Sequence, residues 1–486
     1  MIIHRIGRKR VASEAAIYLS GTLLNRLFPF LLIPLYTRTM PAHEFGIWGF
    51  CMAALNALLI LSDLGLNSAT ARLYYEHNDS DVATFLMTGL ITRLLAAIGT
   101  ALFLLLPLMA GWSWLTGNSF PALPYVPLLL ACAAVQSIVS YNLAISRAMR
   151  QAGPFVRIQV VQTVLQAAAG AALVIAGFGA AGPLYGYLFG SFAVASVVGW
   201  LFVRQYLTRK PMDWQQAVES LLFGLKTIPA NAAVWLRNMA DRIIIGRSLS
   251  MSDLGLYQLA ASGIAPMTIL MGAFNNAYLP FYYEKRKQGS AALPLIAAID
   301  MFVIFALGCL SAGVMSIAPE LIRLLAPPSY SPGTTMVAPL VLSAFFGGVA
   351  LQFNKELLFH KRPGTASAIA AFPAFAGVAA NLLIVPLYGA MAAAWANSVV
   401  SAVILTGSIA AAQKVERTDH SLARLFGACI ILTITASASS FWAPLDPFEP
   451  EALLLRVGGG ATVLVILSVV LLPGHWRVLN ASLRQA

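Results

Sequence analysis

Charge is scarce in this sequence. Only 10% of its 486 residues are Asp, Glu, Lys or Arg, and 59% are hydrophobic; an ordinary soluble domain is roughly 25% charged. A water-soluble fold has nowhere to place so much apolar side chain, which excludes the soluble enzyme and the soluble binding module alike. Cysteine is sparse too. Cys51, Cys132, Cys309 and Cys429 stand far apart inside apolar stretches, so neither a disulfide framework nor a zinc site is expected, and the four read as reduced core thiols. The alternating ten-residue strands of an outer-membrane barrel are missing. So is any long polar loop carrying a catalytic Ser-His-Asp or metal-ligand set, which argues against a membrane polymerase or ligase.

What remains is a succession of continuous apolar runs. A spanning helix needs about 20 apolar residues to cross roughly 30 Å of hydrocarbon, and fourteen such stretches fit between residues 15 and 472. The expected fold is therefore an all-α integral membrane protein of about fourteen transmembrane helices. Arg5, Arg8, Lys9 and Arg10 precede the first run as they would in a signal peptide. That run holds Arg26, Pro29 and Pro34 and has no small-x-small cleavage site, so it reads as the first span, 15–38.

Orientation follows from Lys and Arg, which accumulate in cytoplasmic loops. Of the 31 basic residues, 22 fall on the side of the N-terminus, among them Lys285, Arg286, Lys287, Lys355, Lys361 and Arg362. Arg38, Arg247, Arg323 and Arg456 fall on the other. Both termini are thus expected in the cytoplasm of a bacterium, with the chain in its inner membrane. Topology accounts for the net charge of +12, and no nucleic-acid partner is implied.

The chain also repeats itself. Arg38 to Trp48 (RTMPAHEFGIW) matches Arg247 to Tyr257 (RSLSMSDLGLY) at an offset of 209 residues, with the Arg, acidic, Gly and aromatic positions coinciding. Asn67 to Tyr74-Tyr75-Glu76 matches Asn275 to Tyr282-Tyr283-Glu284, and Gly179-Ala180 matches Gly389-Ala390. Three matches in order at nearly constant offset indicate two copies of one six-helix unit. The organisation expected is a lobe at 1–212, its repeat at 213–415, and two added helices at 416–486. Six is even, so the copies are parallel repeats, an arrangement found in transporters.

Five basic residues lie within the runs: Arg26, Arg93, Lys226, Arg237 and Arg242. A charge at membrane depth costs at least about 2.5–3.5 kcal/mol, so each needs a partner, a wet cavity or a reach to the interface. In span seven (218–245) Lys226 and Arg237 are eleven residues apart, three turns of a continuous helix to within about 20°. Asn25, Asn56, Asp63, Asn67, Asp241, Asn275 and Asn276 add hydrogen-bonding groups on the opening helices of each repeat. Arg237 with Asp241 and Arg26 with Asp63 would neutralise one another, and Arg242 would snorkel. The excess of bases over acids nevertheless expects an anionic ligand. Gln159, Gln162 and Gln166 form a polar stripe suited to sugar hydroxyls or to interhelical hydrogen bonds.

On these residues the chain resembles the multidrug/oligosaccharidyl-lipid/polysaccharide (MOP) flippase superfamily, and within it the polysaccharide-export branch. The resemblance is carried by Phe30-Leu31-Leu32-Ile33-Pro34-Leu35-Tyr36-Thr37-Arg38 with Pro41 to Gly46, by Asp63-Leu64-Gly65 with Arg72 to Glu76, and by Trp235 to Arg242. It implies a transporter, not an enzyme, that flips undecaprenyl-pyrophosphate-linked repeat units of O-antigen, exopolysaccharide or capsule by rocking its lobes about a central cavity. Arg26, Lys226, Arg237, Arg242 and Arg93 would meet the pyrophosphate, and Asp63 and Asp241 would serve as charge partners or ion-coupling groups. No cofactor is implied beyond coupling to protons, sodium or the membrane potential. The implied partners are the polyprenyl-linked glycan, the lipid bilayer and a polysaccharide polymerase or export apparatus. A peptidoglycan-precursor flippase and a cation-coupled drug exporter are the alternatives within the superfamily.

Overall fold

A computed structural model describes residues 21, 23–25, 27–77, 81–207, 212–417, 420–442 and 449–471. Every regular element among them is helical, as backbone groups in hydrocarbon require, because a helix satisfies its hydrogen bonds within one segment. The chain forms two compact units, Met1–Gly255 and Leu256–Ala486.

The first unit opens with α1 (27–39) and continues through α2 (Ala42–Asp63), α3 (Leu66–Leu73), α4 (Val82–Thr116), α5 (Tyr125–Ala148), α6 (Ala152–Ile175), α7 (Ala181–Tyr206), α8 (Trp214–Leu225) and α9 (Ile228–Ser248). It ends inside α10 (Met251–Gly263). The second unit contains α11 (Ala265–Arg286), α12 (Leu293–Ser316), α13 (Ala318–Leu325), α14 (Thr334–Phe359), α15 (Pro363–Tyr388), α16 (Ala390–Val415), α17 (Leu422–Trp442) and α18 (Pro450–Leu471).

Eleven described helices are long and apolar enough to cross a membrane, or twelve if α10 and α11, bent by 40°, make one span. The difference from fourteen lies in two places. The first stretch is described only in part. The seventh is broken: α8 ends at Leu225 and α9 begins at Ile228, because Pro229, tolerated in a first helical turn, has no N–H to continue the ladder back to Leu225. The four charged residues of α9, Arg237, Asp241, Arg242 and Arg247, make it poorer in apolar character than its neighbours.

Large apolar side chains such as Leu102, Phe103 and Leu106 on α4 stand exposed, as a lipid-facing surface demands. Packing between helices uses small residues. Gly182, Gly186 and Gly190 recur every fourth residue on α7, and a Cβ on Gly186 would lie 2.3 Å from the Gly170 nitrogen of α6, the close approach that small-xxx-small spacing permits. The duplicated motif makes a similar contact within the first unit. A Cβ on Gly46 would lie 1.7 Å from the Met251 carbonyl oxygen, and one on Gly255 would lie 2.0 Å from that of Ala42. Residues 42 and 46 correspond to 251 and 255 at the 209-residue offset, so the contact is reciprocal.

Candidate functional site

The site begins at the break between α2 and α3. Leu64 and Gly65 both take left-handed backbone angles, φ +46° and +73°, and a Cβ at Gly65 would meet the Gly224 carbonyl oxygen at 2.1 Å. Only glycine suits both the angle and the contact. The break leaves Asp63 at the end of one helix and Asn67 in the first turn of the next, where the Asn67 backbone N–H donates to Asp63 Oδ2 at 3.4 Å. A carboxylate there also complements the positive end of α3.

Arg93 of α4 completes this node. Its guanidinium donates to Asp63 Oδ1 at 2.7 Å, to Asn67 Oδ1 at 3.0 Å and to the Ser137 carbonyl of α5 at 3.4 Å. It also lies 4.9 Å from the ring centre of Tyr141, whose hydroxyl donates to the Leu86 carbonyl at 2.7 Å. The Arg93 side chain is 0% exposed and that of Asp63 16%. The cation is therefore sealed behind its partner, and the carboxylate is what reaches open space.

That space is a half-open cavity of about 460 Å³ lined by the α2–α3 break, α5 and α9. From α2 and α3 come Asn56, Asp63 and Asn67; from α5, Gln136, Ser137 and Ser140; from α9, Asn231, Trp235 and Asn238, with Leu59, Ile60, Val234 and Met239 between them. Asn231 and Asn238 are seven residues apart and so share a helix face. Trp235 lies between them, fixed by its indole N–H, which donates to the Ala53 carbonyl at 3.0 Å. Among the described residues no Lys or Arg lines this cavity.

The basic residues expected to share a face lie elsewhere. Lys226 sits in the break between α8 and α9 and is exposed. Arg237 is exposed about 100° around α9 from Asn238. Arg242 pairs with buried Asp241 at 3.1 Å and donates to the Asn238 carbonyl at 2.8 Å. Asp63 is met by Arg93. Arg26 and the Asn276 side chain lie outside the described residues. Asn25 accepts a hydrogen bond from Thr163 of α6. Asn275 is on α11 in the second unit, its Oδ1 buried with no hydrogen-bond partner among the described residues. The glutamine stripe joins helices: Gln162 and Gln166 donate to Ser191 of α7 at 3.1 and 3.0 Å, and Ser191 donates to Gln136 at 3.0 Å.

The second unit holds an ionic cluster that the loop-based reading of Arg286 and Lys355 missed. Arg286 binds Glu356 at 2.5 Å and also pairs with Glu416. Lys355 lies 3.4 Å from Asp300, hydrogen-bonds Gln352, and sits 3.9 Å from the ring centre of Tyr278. His420 meets the other oxygen of Asp300 at 3.2 Å. Both bases were assigned to a cytoplasmic loop, but both are buried on helices. Arg456, assigned to an outer loop, is buried on α18 against Glu320 at 2.8 Å. The available signal was Asp300, one carboxylate inside an otherwise apolar run, which at membrane depth demands a partner. Glu356, His360 and Glu416 bring ligand atoms within 4.8 Å of one another, and the Arg286 guanidinium supplies the positive charge there.

Chemically, the first-unit cavity offers amides, hydroxyls, an indole face and one compensated carboxylate, a set suited to hydrogen-bonding ligands. A family model described as polysaccharide biosynthesis protein matches residues 11–282. A Haemophilus influenzae protein named for the Lsg locus is 26% identical over 320 residues, covering 64% of this chain and 75% of that protein. A second protein of that organism, described as an uncharacterized membrane protein, is 27% identical over 288 residues, covering 58% and 67%. Among solved structures, the lipid II flippase MurJ in an inward closed conformation matches with a TM-score of 0.71 at 12% identity, covering 94% of this chain and 98% of that one. An inward-facing multidrug-resistance MATE transporter of the MOP superfamily matches with a TM-score of 0.57 at 14% identity, covering 83% and 99%.

Proposed function

Because the chain belongs to the polysaccharide biosynthesis protein family and has the fold of the MOP transporters, we propose that it flips polyprenyl-pyrophosphate-linked oligosaccharide repeat units across the bacterial inner membrane by alternating access. The glycan would serve a surface polysaccharide such as O-antigen, exopolysaccharide or capsule. The observation that carries this reading is the half-open polar cavity within a body of apolar helices. A glycan headgroup crossing hydrocarbon must exchange its water hydrogen bonds for others, and this cavity supplies amides and hydroxyls for that exchange.

In this proposal Arg26, Lys226 and Arg237 meet the pyrophosphate, which carries about two or more negative charges and favours charge-assisted hydrogen bonds. Arg93 acts as a positioning residue, spent on Asp63 and Asn67. Both termini are cytoplasmic, the repeats run 1–212 and 213–415, and residues 416–486 are added to them. A polysaccharide polymerase or export apparatus would receive the product.

The test is genetic. In a strain deleted for this gene, the lipid-linked repeat unit should accumulate on the cytoplasmic face and surface polysaccharide should disappear. Charge reversal at Arg26 and Lys226 should reproduce that loss. Normal polysaccharide in the deletion strain would refute the assignment, and accumulation of a peptidoglycan precursor would replace the substrate with that of the alternative branch.

A further inference from the structure

We infer that the first-unit cavity is a subsite for an uncharged sugar, about one or two rings in size, and that it discriminates against sugars bearing a carboxylate. The inference deepens the lipid-linked glycan reading and rests on it for the source of the sugar, but its physical case is separate.

The first argument is hydrogen-bond capacity. Sugar hydroxyls both donate and accept, and so does a primary amide. Several of the cavity's amides have one end occupied by the protein, which orients the other. Asn56 Nδ2 donates to the Met52 carbonyl at 2.7 Å and leaves Oδ1 as an acceptor. Asn67 Oδ1 accepts from Arg93, which leaves its Nδ2 as a donor. Gln136 Oε1 accepts from Ser191 and likewise keeps its amino group. Asn231 and Asn238 bring further amides from the opposite wall. Donors and acceptors thus both border one space, a set that suits hydroxyls better than an anion, which needs donors alone.

The second argument is shape. Trp235 borders the cavity with its ring held by the Ala53 carbonyl. A fixed indole offers an apolar face at little entropic cost, matching the C–H face of a pyranose ring. A volume of about 460 Å³ lies in the range of small-molecule pockets, roughly 300–1,000 Å³, and is too small for a whole repeat unit with its pyrophosphate.

The third argument is charge. Among the described residues the only ionisable group of the lining is Asp63, and its compensating guanidinium is sealed behind it. A neutral sugar can donate hydroxyl protons to that carboxylate. A uronic acid would set its own carboxylate against it, and like charges at close range disfavour one another. The pyrophosphate gains nothing here and must be held at another place.

The experiment is saturation-transfer NMR on the full-length protein in nanodiscs. The probes are free glucose, galactose, mannose, N-acetylglucosamine and N-acetylgalactosamine, with glucuronic, galacturonic and mannuronic acids as charged counterparts. At least one neutral sugar should bind at least tenfold more tightly than its uronic acid, and Trp235→Ala should weaken it at least tenfold. Asn238→Leu, on the exposed rim and away from Arg93, should weaken it several-fold. Asp63→Asn, which keeps an oxygen for Arg93, should narrow the neutral-to-acidic gap to about threefold or less. Binding of uronic acids as tight as that of neutral sugars, or a panel with no signal sensitive to Trp235 or Asn238, overturns the inference. A protein that binds neutral sugars this way in a strain whose polysaccharide survives deletion would instead refute the transport reading alone.

Discussion

Deleting the Asp63 carboxylate should damage this protein more than deleting the arginine it faces. Asp63→Ala strands a guanidinium whose side chain is 0% exposed, with the neutral oxygens of Asn67 and Ser137 as its remaining acceptors. Removing one partner of a buried pair costs about 3–5 kcal/mol, and water entering beside the former carboxylate brings the expectation to about 3 kcal/mol. Arg93→Met leaves a carboxylate that already borders the cavity and keeps its hydrogen bond from the Asn67 N–H. Its cost is that of lost hydrogen bonds, about 1–2 kcal/mol. The double variant has no stranded charge and should lie well below the sum of the two.

With about 2 °C per kcal/mol for a unit of this size, the apparent melting midpoint should fall by about 6 °C for Asp63→Ala and about 3 °C for Arg93→Met. Heating the detergent-solubilised protein in steps and following the monodisperse fraction by size exclusion measures both. If Arg93→Met is the more damaging change, or if the double variant equals the sum, the pair is not the electrostatic unit described here.

Other perturbations test the remaining contacts. Gly46→Ala and Gly255→Ala each place a Cβ on a carbonyl oxygen, at 1.7 and 2.0 Å; both should cost at least about 1–3 kcal/mol through forced helix separation, and by reciprocity about equally in the same melting assay. Arg286→Met leaves Glu356 buried and uncompensated, so it should destabilise by about 3 kcal/mol or more. Glu416→Gln, at the wetter end of the same cluster with its side chain 27% exposed, should cost no more than about 1 kcal/mol. Glu320→Ala should destabilise by about 1–3 kcal/mol, because it removes a charge-assisted pair at 2.8 Å with Arg456, whose side chain is 0% exposed. For orientation, a cysteine at Asn118 in a variant lacking the four native thiols should react with an impermeant maleimide added outside intact cells. One at Arg150 should react only after permeabilisation, and the reverse pattern would invert the proposed topology.

Several features of this architecture were legible along the chain because they depend on one-dimensional quantities. Apolar run length identified α2, α4 to α7 and α12 to α18 as spans or their connections, since hydrocarbon thickness sets helix length without regard to neighbours. Asp63 and Asn67 were recognisable as candidates because they interrupt an apolar run. The pairing of Asp63 was not recognisable. Arg26 and Arg93 are equally basic, and only the placement of α4 against the α2–α3 break selects Arg93. Lys226 and Arg237 were expected on one continuous helix, and the two-residue break that places Lys226 between α8 and α9 is set by Pro229 further along the chain. Arg286, Lys355 and Arg456 sit near the ends of apolar runs, where a loop and a buried helix turn look alike in composition.

The sequence by itself determined the solvent this protein lives in, the helical class and the family, since each follows from composition, period and local pattern. Tertiary structure alone decided which charges neutralise one another. That choice turns on distances between residues 30 to 130 positions apart, as in Asp63 to Arg93 and Arg286 to Glu416, and hydrophobic periodicity carries no information about them. In the first unit the described lining is rich in amides and Arg93 is sealed behind Asp63, because burying a charge is tolerable only where a partner meets it.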